Sequence, residues 1–131
     1  MLVRLVKMKF SLLLMFSLII STEALKAEES SVFGIFSSFH KSTTSGDLIG
    51  AEIHVLPHPV IVVQGSEGRA GVPELFKVKI YKNNLLFKVP KGSKSGFPPG
   101  YYEATVINDK MVLVSSAYKT EIPRHKSYWE K

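Results

Sequence analysis

Three lysines and a tyrosine in the segment 72–89 have the spacing expected of an anion-binding surface. Lys77, Lys79 and Tyr81 alternate along the chain, so an extended strand would place them on one face, and Lys88 follows on the returning strand. A cluster of ammonium groups attracts lipid head groups, cell-wall phosphate, acidic polysaccharide or an acidic protein partner. The other interpretation is a solvated face that its lysines keep soluble, which also guards an edge strand against aggregation.

His54 and His58 are the candidates for a different chemistry, which is metal binding. Neutral imidazole is a common ligand of zinc, nickel and copper, and His40 and His125 are remote candidates for completing such a site. A spacing of four residues brings two histidines together on a helix, whereas here it spans a strand end and a proline-flanked turn. No HExxH pattern is present. Metal binding is therefore the alternative to anion binding.

The sequence contains no recognisable catalytic motif. It has no cysteine and no serine in a G-x-S-x-G context, and the glycine-rich GSEGRAG, residues 65–71, lacks the G-K-[ST] of a phosphate-binding loop. Glu52, Glu74 and Glu103 could supply paired carboxylates for glycoside hydrolysis, but no pattern brings two of them together. The sequence therefore predicts a binding or structural protein without a cofactor, not an enzyme.

The segment that carries the lysines is one copy of a repeated pattern. Residues 72–89, VPELFKVKIYKNNLLFKV, align with residues 97–114, FPPGYYEATVINDKMVLV, at an offset of 25 positions. Each copy has a proline, a strand, an Asn-Asn or Asn-Asp turn and a returning strand, which predicts two β-hairpins.

The two turns fix the registers that we expect. A two-residue turn at residues 83–84 would place Lys79 opposite Lys88, and one at residues 108–109 would place Val106 opposite Met111. Strand alternation then predicts an inward-facing set in the first hairpin: Phe76, Val78, Ile80, Phe87 and Val89.

The rest of the chain completes an antiparallel β domain over residues 48–131. Residues 49–56 and 60–64 are β-rich runs separated by Pro-His-Pro, residues 65–71 read as a glycine-rich loop, and the segment after Ser116 can add a last strand. In residues 28–47, an apolar stripe at helical spacing predicts a short helix followed by a linker. The expected fold is mainly β, a small antiparallel barrel or sandwich of six to seven strands with one short N-terminal helix. The members of the stripe are Val32, Ile35, Phe36 and Phe39.

Residues 1–27 have the organisation of a secretory signal peptide. Basic residues precede the eleven-residue apolar run FSLLLMFSLII, and small residues follow it up to Ala24 or Ala27, the two cleavage points that fit. Either Met1 or Met8 fits as the start of translation. The run is short for a membrane span, so cleavage is favoured over an uncleaved anchor, and no transmembrane span would remain.

Cleavage changes the charge of the protein. The full chain has a formal net charge of +6, and the chain from residue 28 has 13 basic and 10 acidic side chains, a net charge of +3. This small excess and an exported location argue against a nucleic-acid partner. Export without any cysteine is more typical of a bacterial periplasm than of a disulfide-rich secreted domain. We therefore expect an exported protein, periplasmic or secreted.

The two hairpin segments also resemble known sequences. FPPGYYEATVINDKMVLV resembles small exported proteobacterial proteins built from proline-led hairpins, among them the periplasmic nickel/cobalt homeostasis family, and VPELFKVKIYKNNLLFKVP is similar to related uncharacterised exported proteins. The resemblance covers about 43 residues. It implies a periplasmic, non-enzymatic β-module connected with metal or envelope stress, although the chain has no histidine-rich tract.

Overall fold

The computed structural model describes residues 32–130. The predicted signal peptide, residues 1–27, lies outside the described residues, as does the part of the predicted helix over residues 28–31. The described chain folds into two antiparallel β-sheets of five strands each. The strands are β1 (Gly34–Ser37), β2 (His40–Lys41), β3 (Leu48–Leu56), β4 (Val60–Gly68), β5 (Glu74–Lys77), β6 (Lys79–Tyr81), β7 (Asn84–Val89), β8 (Gly100–Ile107), β9 (Lys110–Ser115) and β10 (Lys119–Pro123).

The first sheet, sheet A, has the order β1-β3-β4-β5, with β2 also paired to β3. The second, sheet B, has the order β10-β9-β8-β7-β6. Neighbouring strands in sheet B follow one another in the chain, as a series of short hairpins requires. The two long strands of sheet A, β3 and β4, pair along their whole length, from Leu48 opposite Gly68 to Leu56 opposite Val60.

The two sheets share one hydrophobic core. Alternate residues of each strand point inward, and β-branched and aromatic side chains occupy most of these positions, which is why the sequence pairs as strands. The largest fully buried side chain is Tyr102, which stacks on Phe87 with ring centroids 5.2 Å apart. The core side chains with an exposed fraction below 2 % come from both sheets and include Phe36, Ile53, Ile61, Val63, Leu85, Val89, Ala104, Met111, Leu113 and Ile122.

The sheets meet at both of their lateral edges without forming a closed barrel. At one edge, β5 of sheet A continues directly into β6 of sheet B through Val78, whose N–H donates to the Pro59 carbonyl at 3.0 Å. At the other edge, a single bridge joins Phe36 to Arg124, and the Arg124 guanidinium lies 4.7 Å from the centre of the Phe36 ring. The barrel alternative of the sequence prediction is therefore not the architecture of the described residues.

The strand count differs from expectation, and so does the described part of the segment assigned to helix and linker. There are ten strands among residues 32–130, not six to seven, because β1 and β2 lie in the segment assigned to helix and linker and one predicted strand is divided into β5 and β6. The described part of that segment forms strand where a helix was predicted, since Gly34–Ser37 pair with β3. Among residues 32–130, β structure thus begins at Gly34 and not at residue 48. No helix within residues 32–130 is long and apolar enough to cross a membrane.

The predicted register of the first hairpin is wrong by two residues. Lys79 lies opposite Leu86, and Tyr81 opposite Asn84, so the turn residues are Lys82 and Asn83. Lys82 takes the positive φ of 53° that the turn needs. The turn moves because the asparagine amides are engaged by β8: Asn83 Nδ2 donates to the Val106 carbonyl at 3.1 Å, and Thr105 donates to Asn84 Oδ1 at 2.9 Å.

A two-residue slip keeps every side chain on its predicted face. Val78, Phe87 and Val89 are buried and Phe76 and Ile80 pack against the core, as the alternation predicts. The second hairpin has the predicted register, with Val106 opposite Met111 and Asn108 at a positive φ of 54°.

The shared core gives a direct test on strand β9. Leu113→Ala removes a fully buried side chain between the sheets and should destabilise the fold by about 2–5 kcal/mol. Val114→Ala, one residue along on the exposed side, should change the stability by less than about 0.5 kcal/mol. Urea unfolding of both variants measures the difference, and equal losses would contradict the inward orientation of Leu113.

Candidate functional site

The outer face of sheet B carries the candidate site. Residues two apart on a strand share a face, so the exposed side of β6–β9 presents a regular array of side chains. Cross-strand pairing aligns Lys79 with Leu86, Leu86 with Glu103 and Glu103 with Val114 in one row, and Lys88 with Tyr101 in the next. All of these side chains are exposed.

This array lines an open groove of about 900 Å³, which we call the lysine groove. Its end near the β5–β6 junction is formed by Pro59, Val60 and Lys77, and its other end by Ser115, the last residue of β9, and Ser116. The volume lies within the range of roughly 300–1,000 Å³ found for ligand sites. The exposed side chains that line it are Pro59, Lys77, Lys79, Leu86, Lys88, Tyr101, Glu103, Val114 and Ser116.

The charge of the lysine groove is uneven. Lys77, Lys79 and Lys88 lie on β5, β6 and β7, so positive charge gathers at one end, and Glu103 is the single acidic side chain of the lining. None of the three lysines forms a salt bridge with another of the residues that the structure describes. The Lys88 ammonium lies 5.3 Å from the centre of the Tyr101 ring, a cation–π contact that holds its position.

Exposed apolar side chains line the part of the groove over β7, β8 and β9, on both sides of Glu103. Leu86, Tyr101 and Val114 have exposed fractions of 49 %, 75 % and 42 %, on three neighbouring strands. Isolated exposed apolar residues are ordinary, but a contiguous set bordered by polar side chains marks a binding surface. The lysine groove therefore combines a cationic end with an apolar floor.

Four residues were predicted from the sequence to form an anion-binding surface, and three of them line this groove: Lys77, Lys79 and Lys88. Tyr81 does not line it, although it is exposed on the same strand face as Lys79, where the Lys82 ammonium lies 5.5 Å from its ring centre. The expected pairing of Lys79 with Lys88 is absent, because Lys79 faces Leu86. Sequence reasoning missed Leu86, Glu103 and Val114 as groove residues. Their alternation on the predicted strands was the available signal.

The two candidate metal ligands lie in sheet A and in the turn that follows β3. His54 Nε2 is 2.6 Å from Glu52 Oε1, whereas His58 is exposed in the turn between β3 and β4. Within residues 32–130, no three histidine, aspartate or glutamate side chains come together in a group that could hold a metal ion. The geometry around His54 is that of a hydrogen-bonded structural histidine.

Glu52 itself is the centre of a buried polar network on the outer side of sheet A. Only 3 % of the side chain is exposed, and its carboxylate accepts hydrogen bonds from the Ser37 hydroxyl at 2.8 Å, the Tyr128 N–H at 2.9 Å and the Ser127 hydroxyl. With His54, four groups satisfy the carboxylate, as a buried charge requires. Two of these partners belong to the C-terminal segment, residues 124–130, which Glu52 thereby fixes to the sheet.

Burial alone raises the pKa of Glu52, but the hydrogen bonds from Ser127, His54, the Tyr128 N–H and Ser37 outweigh burial and lower the pKa below its ordinary value of 4.5. The docked segment also carries the only tryptophan of the chain. Trp129 Nε1 donates to Gln64 Oε1 at 2.9 Å, and its ring meets Phe39 edge to face at 6.2 Å. The C-terminal segment therefore covers part of the outer face of sheet A.

Comparisons of the chain with protein-family models, with curated proteins and with solved structures find no significant match. Function is therefore inferred from the side chains of the lysine groove and their geometry.

The Glu52 network predicts acid-sensitive docking of the C-terminal segment. Because the pKa of Glu52 is lowered in the folded protein, its stabilisation is present above about pH 4.5 and is lost as the pH falls through the folded-state pKa. Trp129 should leave its contacts over this range, which its fluorescence emission reports. Glu52→Gln is the control: it should lose roughly 1–3 kcal/mol at neutral pH and show a smaller further loss in acid. An identical acid response in the variant would contradict the assignment.

Proposed function

We propose that the chain is an exported, non-enzymatic β-domain of sandwich form that binds an anionic component of the cell envelope through the lysine groove. The contact residues are Lys77, Lys79 and Lys88, and Tyr81 flanks them on the same strand face. The signal-peptide pattern of residues 1–27 supports export. The envelope is the first anionic surface that such a protein meets after export.

One observation carries this proposal: three lysines converge on one groove and none is neutralised by a salt bridge among the described residues. Like charges that lie close together repel, and an anion bound among them removes that repulsion. Because the groove is concave, the electrostatic fields of its three lysines add and attract an anion.

A role in binding is also supported by the chemistry of the lining. The groove contains one carboxylate and no histidine, so it does not present the paired carboxylates of a glycosidase or a nucleophile with a histidine base. The metal-binding alternative from the sequence gains no supporting cluster around His54 and His58 within residues 32–130. Anion binding is the function that the described geometry supports best.

Charge reversal tests the binding face. Lys79→Glu with Lys88→Glu should weaken association with membrane and cell-wall fractions by at least about tenfold, because each lysine near an anionic surface contributes about 1 kcal/mol. Co-sedimentation of the purified chain from residue 28 measures this, and the association of the unaltered chain should fall as salt rises.

The matched control is Lys41→Glu with Lys91→Glu, which makes the same change in net charge at two exposed lysines outside the groove. It should bind nearly as well as the unaltered chain. Equal retention of all three proteins would remove the lysine groove as the contact surface, provided that urea unfolding shows the variants to be folded.

Export has its own test. Expressed from its full sequence in a bacterial host, the chain should appear outside the cytosol with Glu28 as its first residue, or Leu25 if cleavage follows Ala24. Leu13→Arg with Leu14→Arg interrupts the apolar run and should leave the full-length chain in the cytosol. Intact-mass spectrometry of the fractions distinguishes these results. An uncleaved chain in the membrane fraction would contradict cleavage.

A further inference from the structure

We propose that the ligand of the lysine groove is a single-chain amphipathic anion, a free long-chain fatty acid, with its carboxylate at the lysine end and its chain across the apolar floor. This inference rests on the proposed function and specifies its ligand.

The distribution of side chains along the groove gives this orientation. The ammonium groups are on β5, β6 and β7, while Leu86, Tyr101 and Val114 continue across β7, β8 and β9. Strands lie about 4.8 Å apart, so the path from β6 to β9 is about 14 Å long, which accommodates an extended acyl chain of medium length. The lysines therefore lie towards one side of the groove, and exposed apolar side chains continue past them to β9 with Glu103 between Leu86 and Val114.

Other ligand classes match only one of the two ends. A strongly hydrated polyanion would satisfy Lys77, Lys79 and Lys88 but would leave Leu86 and Val114 against water. A neutral apolar ligand would cover those two side chains while displacing water from ammonium groups without replacing it by a partner. An amphipathic anion satisfies both ends, and the lysine stems can extend along its chain while their charges remain at the carboxylate.

Glu103 reinforces the polarity of the site. It lies in the same cross-strand row as Leu86 and Val114, near the middle of the groove, with its carboxylate exposed. A carboxylate head placed there would be repelled, whereas at the β5–β7 end three ammonium groups attract it. Glu103 thus favours one direction of the ligand. Glu103→Gln should retain binding and should relax the discrimination between anionic and neutral head groups.

The shape of the site favours a separate molecule over a membrane surface. The lining from Pro59 to Ser116 forms an open groove of about 900 Å³, a volume that a single small molecule can occupy. A single acyl chain can lie along the floor. Binding to the bilayer instead is an outcome that the experiment below can distinguish.

Calorimetric titration of the chain from residue 28 with monomeric dodecanoate tests the proposal. Dodecanoate should bind with one-to-one stoichiometry and at least about tenfold more tightly than octanoate, because four methylene groups at about half burial each contribute close to twofold. Dodecyltrimethylammonium, with the same chain and a cationic head, should bind at least about tenfold more weakly than dodecanoate. Equal binding of dodecanoate and octanoate, or of the anionic and cationic amphiphiles, would overturn the assignment.

Two variants locate the ligand in the groove. Leu86→Ser with Val114→Ser should weaken dodecanoate at least about fivefold and octanoate less, because octanoate reaches Leu86 but is too short to reach Val114 on β9, whereas Lys79→Glu with Lys88→Glu should weaken both. Both side chains of the first variant are exposed, so the fold should persist, which urea unfolding verifies. Unchanged dodecanoate affinity in both variants would place the ligand elsewhere and overturn the proposal.

Vesicles of anionic phospholipid separate this inference from the proposed function. If the chain binds vesicles through Lys79 and Lys88 but does not bind monomeric dodecanoate, the free fatty acid is wrong and the general anionic role survives. If charge reversal at these lysines changes binding neither to the vesicles and envelope fractions nor to dodecanoate, both proposals fail.

Discussion

The passage of the chain from one sheet to the other at Val78 is the constraint on which the rest of the structure depends. Val78 is buried, with an N–H bonded to the Pro59 carbonyl, and it divides what would be one strand into β5 and β6. The crossing lets inward residues of both sheets fill one core. It also sets Lys77, which pairs with sheet A, beside Lys79, which pairs with sheet B, at the same end of the groove.

The outer faces of the two sheets differ in how far the described chain covers them. On sheet A, the C-terminal segment covers Glu52 and Gln64, and these buried polar groups have hydrogen-bond partners. On sheet B, no segment within residues 32–130 covers Leu86 or Val114 in a comparable way, and both stay about half exposed. Among the described residues, the exposed apolar surface that lysines border is therefore on sheet B. That asymmetry supports the proposal that the binding surface lies on sheet B.

The alternation of inward and outward side chains could be predicted from the sequence, whereas features that depend on contacts between distant residues could not. The inward set around Val78 and Phe87 and the whole second hairpin follow from local pattern. The first turn was misplaced because the amides of residues 83 and 84 bond to β8, far along the chain. The segment GSEGRAG was expected to be a loop, but its first residues belong to β4. Gly65 packs against the Phe97 ring there, and a Cβ at this position would lie 2.7 Å from a ring carbon. The lysines of the groove could be predicted from the sequence. Its apolar floor could not, because three separate strands supply it.

The remaining question is whether the lysines protect an edge or bind a ligand, and the sheet order separates the two roles. Lys79 is on β6, the edge strand of sheet B, so protection against aggregation is sufficient to explain it. Lys88 is on β7, whose two edges are already paired with β6 and β8, and a paired strand has no open edge to protect. Its ammonium is instead held over Tyr101, facing the apolar floor. Edge protection therefore does not extend to Lys88, and the proposed anionic ligand would account for Lys79 and Lys88 together.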